Sequence, residues 1–114
     1  MQLNPLAVQK AHQLIDHGLF RISTPWQRIQ PTPNAAQKYL IANGTEAYSA
    51  WFLAVDPSLP EDDPARYQWP IGDFNALHRS GLIAARDLAH KHQLPDIAGA
   101  AEDILFLFDR LTAC

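Results

Sequence analysis

The chain has 114 residues, of which 47% are hydrophobic and 18% charged, with a formal net charge of −3 at pH 7. A chain of this size buries about two-thirds of its unfolded surface, so the composition excludes a disordered segment and predicts one globular domain over residues 1–114. The slightly acidic balance gives no global attraction to nucleic acid or to an anionic membrane.

The only cysteine is Cys114, which rules out an internal disulfide and an all-cysteine metal site, and suits a reducing, cytoplasmic location. The start, Met1-Gln2-Leu3-Asn4-Pro5, has neither the basic residues nor the apolar run of a secretory signal, and no stretch approaches the ~20 apolar residues that span a bilayer. No membrane association is expected.

In chain order, Asn4-Pro5 is a cap followed by a first-turn proline. Val8, Ala11, Leu14 and Ile15 then mark an apolar face and Gly18 a stop, which predicts a helix over about 5–17. Phe20–Ile22 reads as a short extended piece. Pro25, Pro31 and Pro33 make the stretch to residue 33 an irregular loop held down by Trp26 and Ile29. Thr32-Pro33 repeats the cap signal, and Asn43-Gly44 ends a second helix over about 33–43. Tyr48–Val55 is almost wholly apolar, and its length does not separate buried strand from buried helix; Trp51, Phe52 and Val55 lean it toward strand. Asp56–Pro64 reads as an exposed acidic loop and Tyr67-Gln68-Trp69 as extended, which together allow a two-stranded β-hairpin.

Gly72-Asp73 is read as the start of a long helix reaching about His92, and Pro95-Asp96 as the start of another reaching about Leu111. Phe74, Leu77, Gly81, Ala84 and Leu88 share one face of the first; Ile97, Ala101, Ile104, Phe108 and Leu111 share one face of the second. The fold class expected is therefore mainly α: a small helical domain with a C-terminal antiparallel helical hairpin, with an α+β arrangement if the β-hairpin forms.

No catalytic signature accompanies this pattern. Phosphate-binding loops, dinucleotide fingerprints and nucleophile elbows are all missing from the sequence, and no cofactor is implied. His90 and His92, two apart on a helix, point about 200° away from each other and do not share a metal; His12 and Asp16, four apart, supply only two ligands. No metal site is expected. The most distinctive stretch is Arg66–Phe74, whose Tyr67 and Trp69 offer amphipathic rings beside Asp73 and the expected helix start. With His78, Arg79 and Arg86 farther along, these form the candidate binding set, weighed against the simpler reading that Trp69 and Phe74 seal the core and Asp73 caps the helix.

The sequence favours a non-enzymatic protein-interaction or regulatory module with a protein partner or a second copy of itself. The alternative is a small enzyme or ligand-binding domain in which His12, Asp16, His78 and Arg79 converge between the first and the long helix.

Overall fold

The computed structural model describes residues 1–112, so Cys114 lies outside the described residues. The elements run β1 (Gln2–Leu3), α1 (Pro5–Asp16), β2 (Phe20–Arg21), α2 (Trp26–Ile29), α3 (Pro33–Asn43), α4 (Thr45–Ser49), β3 (Phe52–Val55), a 3-10 turn (Pro64–Arg66), β4 (Tyr67–Pro70), β5 (Leu77–His78), α5 (Arg79–Lys91) and α6 (Pro95–Thr112). Helices dominate and two small sheets, β1-β3-β4 and the parallel pair β2-β5, join them, so the mainly α class with a minor β component holds. None of the described helices is long and apolar enough to cross a membrane.

Asn4 explains why α1 starts where it does and where it sits. Its Oδ1 accepts from the Leu6 amide at 3.3 Å, while its Nδ2 donates to the carbonyls of Ser49 (2.8 Å) and Phe52 (2.9 Å). One buried side chain thus caps the helix and ties it to the bend that leads into β3. Ala7, Ala11, Leu14 and Ile15 turn into the core, and Gly18, at φ +70°, takes the left-handed turn that ends the helix.

β3 lies between β1 and β4 and is antiparallel to both, with Phe52 opposite Pro70 and Val55 opposite Tyr67. The expected hairpin exists and gains β1 as a third strand. Within Tyr48–Val55 the lean toward strand holds only from Phe52 onward, because Tyr48 and Ser49 complete α4. The expected loop before residue 33 contains the single helical turn α2.

The C-terminal hairpin of α5 and α6 is antiparallel: Arg79 at the start of α5 meets Asp109 near the end of α6, and His90 near the end of α5 meets Glu102. Its first helix begins later than the sequence suggests. Asp73 Oδ1 accepts from the amides of Asn75 (3.0 Å) and Ala76 (2.8 Å), Phe74 adopts φ +68°, and Gly72 pairs with Leu77. Residues 72–77 therefore close a tight hairpin, and α5 starts only at Arg79. An Asp that caps a helix and an Asp that closes an Asx turn use the same local amides, which is why the sequence favoured the wrong one.

With the start displaced, the buried face of α5 is Gly81, Leu82, Ala85 and Ala89 rather than the Gly81, Ala84 and Leu88 stripe. Gly81 is needed against Trp26: a Cβ there would lie 2.9 Å from the indole ring. On α6 the expected face is buried through Phe108, but Leu111 is exposed.

Candidate functional site

Of the six residues singled out from the sequence, Asp73 and His78 are brought into direct side-chain contact, and the other four engage partners outside the set. Tyr67 donates from its hydroxyl to the Glu61 carbonyl at 2.6 Å, and burial pushes its phenol above the usual range despite the opposing charge of Arg66. Trp69 is half-buried at the edge of the sheet, with its ring stacked 5.8 Å from that of His92. Arg79 is held by Asp109 through Nε at 2.8 Å and Nη2 at 3.1 Å, and Arg86 reaches the neighbouring Asp87 at 3.2 Å. Both guanidiniums already face carboxylates.

Asp73 and His78 do come together. His78, 3% exposed, places Nδ1 2.7 Å from Thr24 Oγ1 and Nε2 3.1 Å from Asp73 Oδ2. The second approach is close without being aligned as a hydrogen bond. Burial alone would raise the Asp73 carboxyl; the Ala76 amide, His78 and the Asn75 amide outweigh it and hold the group below the ordinary carboxylate range. The resulting Thr24–His78–Asp73 chain links three segments distant in sequence. The sequence showed the aspartate and the histidine, but nothing in it marked Thr24 as the third member. Trp26 packs beside the imidazole at 6.1 Å between ring centres; His78 is buried while Thr24 and Asp73 are half-buried, and none of the clefts described below includes any of the three.

His12 and Asp16 are both exposed on α1 and His78 is buried, and none of the four side chains of the alternative reading lines the clefts described below. Among the described residues, no three His, Cys, Asp or Glu side chains gather as metal ligands do.

Three larger clefts open on the surface. One of about 460 Å³ lies between α1 and α4, with Gln9, Lys10, Gln13, Asn43 and Glu46 on its walls. A second of about 540 Å³ lies beside it at the start of α1. Both have mixed polar walls and open broadly to solvent. The third, about 440 Å³, runs between α3 and the 3-10 turn, lined by Pro33, Ala36, Gln37, Leu40, Ile41, Tyr48, Pro64 and Ala65. Gln37 is its one side chain with a hydrogen-bonding amide, and Tyr48 is buried, which pushes its phenol above the usual range.

This groove has an unusual wall. No side chain of α3 is fully buried; the helix is held by Tyr39, whose ring stacks on Phe74 at 4.5 Å and whose hydroxyl accepts from Trp51 Nε1 at 3.1 Å. Phe74 in turn lies within 6.2 Å of Tyr48, Trp51 and Phe52. Ile41, beside Leu40 on the groove wall, is 77% exposed, the largest exposure among the big apolar side chains of the described residues. No family model, curated protein or solved structure matches the chain.

Proposed function

We propose that the chain is a non-enzymatic protein-interaction module whose partner docks in the groove between α3 and Pro64-Ala65. The observation that carries this reading is the combination of a mainly apolar groove with Ile41 standing 77% exposed on its wall. Full burial of such a side chain contributes about 1.5–3 kcal/mol, and an apolar surface left open in a small domain marks a place where another molecule supplies the cover. The alternative enzymatic reading has less support, because the buried His78 imidazole lies outside the surface clefts and the polar clefts hold no nucleophile paired with a base. The pairing of Arg79 and Arg86 with carboxylates supports a protein partner over a nucleic acid. A cytoplasmic setting, expected of a chain with a single cysteine, goes with this reading.

The test compares wild type with Ile41→Asp and with Phe106→Asp, the latter a second exposed apolar position outside the groove, by quantitative mass spectrometry of co-purifying proteins. At least one protein should be retained by wild type and Phe106→Asp and lost from Ile41→Asp. An identical set on all three forms refutes the groove as the docking surface.

A further inference from the structure

The groove is acidic along one margin only, and its shape fits one kind of secondary structure. Resting on the reading above, we infer that the partner is a helical segment whose apolar stripe is flanked, on the side facing residues 56–63, by Lys or Arg. On α3 the groove-lining positions are Pro33, Ala36, Gln37, Leu40 and Ile41. These repeat at i, i+3, i+4, i+7 and i+8, the spacing that forms a ridge for a second helix. Eleven residues of α3 at a rise of ~1.5 Å each give about three turns, enough to meet anchors at i, i+3 or i+4 and i+7 of an incoming helix.

The charge lies on the opposite wall. The segment 56–66 carries Asp56, Glu61, Asp62 and Asp63 against a single base, Arg66, whose guanidinium donates to the Leu59 carbonyl at 2.6 Å. Asp56 accepts from Ser58, and Asp63 from the Ala65 amide. Glu61 and Asp62 are exposed and form no ion pair among the described residues. Asp62 and Glu61 precede the groove-lining Pro64 by two and three residues in the same loop, Glu61 also bordering the cleft at the start of α1, and a cation on the adjoining flank of a docked helix offsets them. Lys38, which helix geometry places about 60° around α3 from Ile41, makes the other margin basic. The complementary partner is therefore cationic on one flank only, and this asymmetry also sets its orientation.

Two synthetic amphipathic helices with identical leucine positions, one carrying lysines and the other glutamates, provide the probe. Binding is followed by calorimetry and by NMR shifts of α3. The lysine peptide should bind at least about tenfold tighter than its glutamate twin, equivalent to ~1.4 kcal/mol. That advantage should shrink at high salt and disappear in Glu61→Lys/Asp62→Lys, while the equally charged control Asp16→Lys/Asp103→Lys keeps it. Ile41→Asp should weaken both peptides. If both peptides shift α3 with equal affinity, or the control double variant loses the preference as well, the cationic assignment is overturned and the groove reading stands. If neither peptide perturbs α3, a helix-accepting groove is refuted and this inference falls with it.

Discussion

Thr24 and His78 are 54 positions apart, and their 2.7 Å contact ties the segment around α2 to the start of α5. Thr24→Val removes the hydroxyl and leaves a buried imidazole nitrogen without its partner, at a cost of about 1–3 kcal/mol; urea melts of the two proteins will show it as a lower midpoint with an unchanged slope. Asp73, at the other side of the imidazole, makes stability depend on acid. Its folded carboxyl lies below the unfolded value of 3.8, so its contribution is complete above that value and is lost as pH falls through the lower, folded one. Asp73→Asn should therefore flatten the acid limb of the stability profile while leaving its alkaline side unchanged. The tryptophans also separate. The sequence suggested Trp69 as the core seal, yet Trp51 is the one that is 2% exposed, while Trp69 sits half-buried on His92. Trp51→Ala should cost about 3–5 kcal/mol in a denaturant melt, and Trp69→Ala clearly less; an equal loss would mean that the sheet edge is packed more tightly than its exposure shows. Nothing local in the sequence distinguishes the two rings, because burial here follows from where β3 lies between its neighbours.

Among the four long helices, α3 is the one with no fully buried side chain, and its Tyr39 stacks on Phe74. Phe74→Ala removes the ring on which Tyr39 stacks, so the amides of α3 should exchange with deuterium faster while those of α6, buried through Ile97, Ala101, Ile104 and Phe108, change little. Uniform acceleration across both helices would instead show that Phe74 supports the whole fold. The ends of α1 and α3 were legible because Asn4-Pro5 and Thr32-Pro33 put the cap and the first-turn proline in adjacent positions, and these have one local interpretation. The start of α5 was not. Gly72-Asp73 satisfies both a cap and an Asx turn, and the choice is made by β-type pairing of Gly72 with Leu77 and of the Leu77 amide with the Leu19 carbonyl, contacts that no local pattern encodes. The buried face of α5 shifted for the same reason, since Leu82, Ala85 and Ala89 form an apolar stripe as regular as the expected one and only the neighbouring Trp26 and α6 decide between them.

In the whole molecule, the candidate site was the least legible part. Ile41 and Pro64-Ala65 come from segments with no sequence signal in common, and they line one groove through tertiary packing, with α3 held to the core through Tyr39 on Phe74. The acidic loop was visible as composition, but its meaning depends on the apolar wall it borders. Of the six candidate residues, Asp73 and His78 meet side chain to side chain, at 3.1 Å, and neither lines this groove. The claim that the groove receives a protein partner is tested most directly by a photo-crosslinking amino acid placed at Gln37 on its wall and, in a parallel chain, at exposed Asp87 on α5, with adducts resolved after irradiation in cells. Position 37 should give a discrete adduct with another protein that is missing from position 87 and is lost when Ile41→Asp is added; the same adduct pattern from both positions, unchanged by Ile41→Asp, would contradict a partner in the groove.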